Sequence, residues 1–290
     1  MPHGTGTETA VRWLTTTALA GLLFSAGLRL NWAQIIDALR RCRLGWILAL
    51  NFLGVPLLAM GLVSLFQVPQ PIAVGMLLLA AAPFAPVIPT FARLARADPA
   101  LAAALTGLFP FLSAFMTPLI CRLSLIALPG HDSVAFNSWF ILLVLVSSIT
   151  VPLVAGVACR RSLPRLGVRL ADPVQILAEG AGAVGLAFIT VVEFQAIRST
   201  GPQPLLAMLL LSELSFVAGY ALSGPAAAAR LVVALGTSNR NIALAVLVAV
   251  QSFPGTPIVA AVVTNGLLLI LLGLLHVGGW RLAVWVRRGG

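Results

Sequence analysis

One cation stands in the middle of an apolar stretch. The run Gly236-Thr237-Ser238-Asn239-Arg240-Asn241 interrupts residues that are otherwise aliphatic and is followed by unbroken apolar sequence from Ile242 to Val250. Such a polar run is costly inside a bilayer unless it faces protein or water. A guanidinium there can hold a carboxylate or other anion through two parallel hydrogen bonds. It can equally serve as a structural ion pair with Glu179 or Glu213. Glu179 sits among small residues, Ala178-Glu179-Gly180-Ala181-Gly182-Ala183, which let helices approach closely or line a cavity. An acid in that position is a candidate for carrying a proton. Glu213, in Leu211-Ser212-Glu213-Leu214-Ser215, is a second candidate. His131 and His276 are assigned no role, Glu193 reaches water, and Thr264 and Asn265 are read as packing residues. A second interruption, Ala82-Pro83-Phe84-Ala85-Pro86-Val87-Ile88-Pro89-Thr90, places prolines at i, i+3 and i+6. Each removes a backbone donor and clashes with the preceding turn. The residues expected to meet a substrate are therefore Thr237, Ser238, Asn239, Arg240 and Asn241 on one interruption, and Pro86, Pro89 and Thr90 on the other.

The elements that must position these residues are membrane helices. Of 290 residues, 60% are hydrophobic and 9% charged, with a mean hydropathy of +1.04. A soluble domain cannot hide that much apolar surface. A helix needs roughly 20 apolar residues to cross the hydrocarbon. The pattern predicts nine spans, at 11–30, 45–66, 71–92, 99–127, 137–158, 171–197, 203–222, 226–252 and 257–279. Gln67-Val68-Pro69-Gln70, Pro129-Gly130-His131-Asp132, Gly201-Pro202 and Pro254-Gly255 read as the turns between them. Residues 31–43 read as a short interfacial helix with Trp32, Ile35, Ile36 and Leu39 on one side. The polar N-terminus lacks the pattern of a cleaved signal, so the first span is expected to be retained.

The net charge of +10 does not indicate nucleic acid, because the basic residues are all Arg and lie in short gaps between apolar runs. Fourteen fall on one side of the predicted topology, against Arg12, Arg122 and Arg198 on the other. The positive-inside rule then places the N-terminus outside and the C-terminus in the cytoplasm, with the chain in a bacterial inner membrane. Cys42, Cys121 and Cys159 are far apart and read as inert thiols. The acids are scattered, and neither H-E-x-x-H nor G-x-S-x-G occurs, which argues against an enzyme.

The interrupted spans 3 and 8 are five helices apart and so run in opposite directions. Paired discontinuous helices in inverted repeats, with the substrate at the midplane, are a recurrent transporter plan. The halves would be residues 11–127 (spans 1–4) and 137–279 (spans 5–9), forming one transporter domain over 1–290.

At these residues the chain resembles the bile acid:sodium symporter family. Phe24-Ser25-Ala26-Gly27-Leu28-Arg29-Leu30 is similar to its F-G-M-G-L-x-L helix end, and Asn51-Phe52-Leu53-Gly54-Val55-Pro56-Leu57 to its Q-F-x-x-M-P-L. Ala82-Pro83 through Leu94-Ala95-Arg96-Ala97-Asp98, with Ala100-Leu101 and Thr117-Pro118-Leu119, is similar to its first crossover, and Gly236 to Ala243 to its second. The resemblance implies an all-α fold of two inverted repeats with two discontinuous crossover helices, divided into core and panel domains. It also implies where sodium would bind, and this chain departs there. Ile88 and Pro89 stand for a Ser-Asn pair, Ala102 for a Ser, Ala234 for a Glu, Ser238 for a Gln and Asn51 for another Gln. Thr106, Ser238, Asn51 and Asn239 keep useful oxygens, and Asn51 and Thr106, with Glu179 and Glu213, are candidates for the coupling ion. The chain has removed a carboxylate and added Arg240, whose fixed charge is expected to stand in for the ion. The function expected is secondary transport of a small organic anion by alternating access. No cofactor is expected beyond a coupling Na+ or H+, and no partner beyond substrate and lipid. A non-transporting sensor is the alternative. An arsenite-type exporter is a weaker one, because Ala81-Ala82-Pro83-Phe84 offers no thiolate.

Overall fold

The computed structural model describes residues 5–30, 36–37, 39–40, 42–128 and 136–287. Most of the expected interfacial helix, with Trp32 and Ile35, lies outside these residues, as do the whole turn at 129–132, including His131, and Arg41 and Arg288. Among the described residues every regular element is helical. In chain order they are α1 (Thr5–Arg29), α2 (Leu44–Leu65), α3 (Gln70–Ala80), α4 (Ile88–Ala95), α5 (Pro99–Ile126) and α6 (Ser138–Ser162). Then come α7 (Pro164–Val192), α8 (Phe194–Arg198), α9 (Pro202–Leu222), α10 (Ala227–Ser238), α11 (Ile242–Ser252) and α12 (Ile258–Arg287).

Local chemistry sets the boundaries. Asp98 accepts from the N–H groups of Ala100 and Leu101, both at 3.0 Å, and Pro99 opens α5. Asn137 caps α6 through Phe140 N at 3.0 Å. These satisfy first-turn donors that have no carbonyl of their own to bond. α4 ends where Arg96 turns left-handed, at φ 54°. Two π-turns, Leu50–Gly54 in α2 and Val146–Thr150 in α6, share a local cause. Each is followed by Val-Pro, Val55-Pro56 in one and Val151-Pro152 in the other, and the proline has no N–H with which to continue the ladder.

Eight helical segments of the described chain are long and apolar enough to cross a membrane. One of them, Ala227–Ser252, counts across the short gap between α10 and α11. The segment expected as a ninth, 71–92, is not one helix. It is α3 and α4, of 11 and 8 residues, separated by 81–87. Pro83 and Pro86 occupy that gap, and Phe84 takes a left-handed φ of 54°. Pro89 does not break anything. It lies in the first turn of α4, where its missing donor is not needed. In the other interrupted segment the break is shorter than the polar run suggests: Gly236, Thr237 and Ser238 complete α10, and only residues 239–241 leave the helix. The span expected at 171–197 starts earlier and stops at Glu193, after which α8 follows.

Small residues set the packing. A Cβ at Gly27 of α1 would strike the Leu153 carbonyl of α6, and one at Gly156 would strike the Phe24 carbonyl, so α1 and α6 cross backbone to backbone. α1 also lies along α7, with Gly21 against Ala178 and Gly185 against Leu14. Elsewhere Gly75 of α3 lets α12 approach at Ala261 and Val262, and Gly219 of α9 lets α10 approach at Ala234 and Thr237. Phe84 stacks on Phe109 with centroids 4.1 Å apart, and Phe109 on Phe52 at 5.6 Å. The helices carry large apolar side chains outward, including Leu57, Leu177, Val191 and Leu275, as a lipid-facing surface requires.

Candidate functional site

The two breaks meet. Ala85 N donates to the Asn239 carbonyl at 3.1 Å, and Asn241 N donates to the Ala82 carbonyl at 2.8 Å. Non-helical backbone at this depth must have its polar groups satisfied inside the protein, and the breaks do this partly for each other. The last carbonyls of α3 find side chains. Thr117 Oγ1 donates to Ala81 O at 2.6 Å. Arg240 Nε donates to Leu79 O at 3.2 Å, and its Nη2 donates to Ala80 O.

The rest of the Arg240 guanidinium reaches α10 and α2. Its Nη1 donates to Thr237 O at 3.3 Å and to Asn51 Oδ1 at 2.8 Å, and its Nη2 donates to Asn51 O at 3.2 Å. A guanidinium has five N–H donors, and this one has five acceptors. All are neutral oxygens, so no carboxylate touches it. The cation caps the C-terminal ends of α3 and α10 together, where the helix dipoles favour positive charge. The Asn51 carbonyl is available because of the π-turn. Val55 N turns back to Leu50 O, and the next residue, Pro56, has no N–H to offer. The Asn51 side chain is fixed in turn, with Nδ2 donating to Ile47 O at 2.9 Å and to Thr237 Oγ1 at 3.1 Å. Arg240, Asn51 and Thr237 are all buried.

Beside the crossing lies a cavity of about 310 Å³. One wall is α1 and α7, including Thr15, Ala18, Glu179, Gly182 and Gly185; the other is the two breaks, at residues 85–87 and 240–243. The small residues of α7 thus line space rather than only a helix seam. The N-terminal ends of both α4 and α11 open onto this cavity. Asn241 Oδ1 accepts from Leu244 N at 3.0 Å, while its Nδ2, on a residue 1% exposed, has no hydrogen-bond partner. Glu179 is half-buried. Its Oε1 accepts from Thr90 Oγ1 of α4 at 2.9 Å and from Gln175 Nε2 at 2.8 Å.

The structure gathers some of the sequence candidates and scatters others. Arg240, Asn239, Asn241, Ser238, Thr237 and Asn51 converge at the crossing, and Pro86 and Glu179 line the cavity. Pro89 and Thr90 open α4, with Thr90 bonded to Glu179. Glu213 is elsewhere: its carboxylate meets His276 Nε2 at 3.1 Å, and the imidazole stacks on Phe216 at 3.8 Å. Neither acid pairs with Arg240. Thr106 is buried on α5 with its hydroxyl unpartnered. Ile88 and Ala102, at positions where the resemblance implies sodium-binding hydroxyls and amides, join an apolar cluster with Phe84 and Phe109, and Ala234 is buried and apolar. The ring of Phe84 lies directly over Gly236, where a Cβ would run into it. Three contributors had no weight in the sequence reading: Gln175, His276 and Phe84. Only Gln175 carries a local signal, four residues before Glu179 on one helical face. No metal-binding cluster of His, Cys, Asp or Glu occurs among the described residues.

Comparison with protein families matches residues 16–200, more than half of the chain, to the Sodium Bile acid symporter family. The match includes the first break and the Glu179 wall of the cavity; the second break lies beyond it. No curated protein matches the chain.

Proposed function

The chain belongs to the sodium bile acid symporter family, and from that premise we propose that it is a secondary transporter that carries a small organic anion by alternating access. It is a multi-pass membrane protein of a transporter family rather than an enzyme family. The observation that carries the finer reading is the orientation of the four half-helices. The C-terminal ends of α3 and α10 point at a fixed cation, while the N-terminal ends of α4 and α11 face the cavity. Helix N-termini attract anions. A carboxylate seated there would meet the first-turn N–H groups of Ile242 and Ala243, and the unpartnered Asn241 Nδ2. Arg240 has no donor left for it. Its role is to hold the crossing together and to supply, covalently, the positive charge that a bound ion would otherwise bring.

In this reading the neutral oxygens around Arg240 are a cation cage already filled, and transport needs no sodium there. The two breaks are the crossover of two inverted halves, residues 11–127 and 137–279. α1, α6 and α7 act as a panel against which the remaining helices move. The N-terminus lies outside and the C-terminus in the cytoplasm of a bacterial inner membrane. Flux into proteoliposomes tests this, with labelled benzoate, pyruvate and taurocholate, and with sodium and proton gradients imposed separately. Anion uptake or exchange without any response to sodium is the expected result. Strict sodium dependence would remove the role given to Arg240. Saturable binding without flux would make the chain a receptor.

A further inference from the structure

Glu179 links the two groups of helices that the proposed function requires to move apart. It belongs to α7, and it accepts a hydrogen bond from Thr90 of α4, the half-helix that follows the first break. Gln175 braces the same pair. Its Nε2 donates to Glu179 Oε1 at 2.8 Å and to Thr90 Oγ1 at 3.4 Å. Both donors at Glu179 point at one oxygen of the carboxylate. Hydrogen bonds to an ionised acceptor are roughly twice as strong as neutral ones, so the seam is tightest when Glu179 is charged. Glu179 also lines the cavity opposite the α11 N-terminus. An organic anion entering that cavity would face a like charge.

The other charged groups near Glu179 do not neutralise it directly. On α4, Arg93 is exposed and donates through Nη2 to Thr90 Oγ1 at 3.2 Å. Arg240 shares the cavity wall, but its five N–H groups are bound to other oxygens. On α7, Asp172 is held by Arg29 of α1 at 2.6 Å. The remaining cavity residues contributed by α1, α11 and α12, and Asn241 of the second break, carry no ionisable group.

We propose that Glu179 is the proton site of this carrier, and that the proton it takes up is the coupling ion. This rests on the transport function proposed above. Charged, Glu179 clamps α4 to α7 and repels the anion. Protonated, it loosens the Thr90 bond and admits the anion. Proton and anion then favour each other's binding, as linkage requires, and they cross the membrane together. Binding strengthens as the pH falls, by up to about tenfold per pH unit, since one proton is linked. Thr90 and Gln175 are positioning residues.

Two measurements test this. In the first, Val87→Cys and Ala183→Cys, on opposite walls of the cavity, are introduced in a background in which Cys42, Cys121 and Cys159 are replaced by Ser. The rate of bridging by a bifunctional thiosulfonate is followed against pH in proteoliposomes without ligand, with the reagent's own pH dependence calibrated on a free thiol pair. The expected result is a corrected rate that changes with pH in the parent protein. It should be flat, at the low-pH value, in Glu179→Gln, and shifted in midpoint but restored in Glu179→Asp. Asp172→Asn, on the same helix, should keep the parent profile. A Glu179→Gln protein that retains the parent pH response, or a parent with none, overturns the proposal. In the second, labelled benzoate, pyruvate and taurocholate are followed with pyranine trapped inside as a proton reporter. Proton uptake should accompany anion uptake in the parent and be lost in Glu179→Gln. Exchange of an anion without proton movement in the parent sinks the proton site and leaves the carrier standing. Failure of all three anions to exchange under any gradient removes the carrier reading, and this proposal with it.

Discussion

Arg240 and Glu179 are both ionisable residues deep in apolar segments, and the tertiary structure treats them in opposite ways. Arg240 is 3% exposed and surrounded by five neutral oxygens drawn from α2, α3 and α10. Glu179 is half-buried, open to a cavity, and bonded through one oxygen to two side chains on different helices. A buried cation whose donors are all engaged is part of the scaffold. It can be removed only by leaving several carbonyls without partners. A carboxylate on a cavity wall can change its protonation without unfolding anything. The comparison separates a charge that builds the site from one that is free to work in it.

The largest effect should come from Arg240→Leu. It orphans the buried carbonyls of Ala80, Thr237 and Asn51, while Leu79 O keeps the Ala82 N–H, and each unsatisfied buried group costs about 1–3 kcal/mol. We expect a loss of at least about 3 kcal/mol, read as a large drop in the unfolding midpoint in detergent. Arg240→Lys should fall in between, because an ammonium has three donors where the guanidinium has five. If Arg240→Leu unfolds like the parent, the scaffold role is wrong.

Asn51→Ala should follow, at about 1–3 kcal/mol, since it strips one acceptor from Arg240 and one donor from Thr237. The double variant with Arg240→Leu should lose less than the sum of the two, because the residues share one network. Strict additivity in the melting data would show that they are not coupled. Glu179→Gln should change stability by no more than about 0.5 kcal/mol, because the amide oxygen can still accept from Thr90. Its effect belongs to the pH profile instead, and a stability loss as large as that of Asn51→Ala would erase the contrast between Glu179 and Arg240. The smallest effect is expected for Asp172→Asn. The Arg29 pair is largely exposed, and such pairs contribute little, so its melting curve should overlay that of the parent.

The sequence carried the membrane class, most span positions, the location of both breaks and the family resemblance. These follow from local properties: apolar runs of bilayer length, three prolines in seven residues, and a cation where lipid should be. It did not show which partners individual groups would find. The polar run 236–241 reads as one irregular segment, yet half of it is helix, because Gly236 is held under the Phe84 ring and Thr237 against Asn51. Glu179 and Glu213 look alike in sequence, but one meets Thr90 and a cavity while the other meets His276. The partners of Arg240 are not legible in the sequence because four of its five acceptors are backbone carbonyls, and every residue has one. Which carbonyls are left over depends on a π-turn in α2 and the frayed end of α3, both far from residue 240 along the chain. Side-chain type and spacing set which groups must leave water and where helices stop. Which donor meets which acceptor was decided only when distant helices packed, because hydrogen bonds depend on angstrom-scale placement that no local pattern encodes.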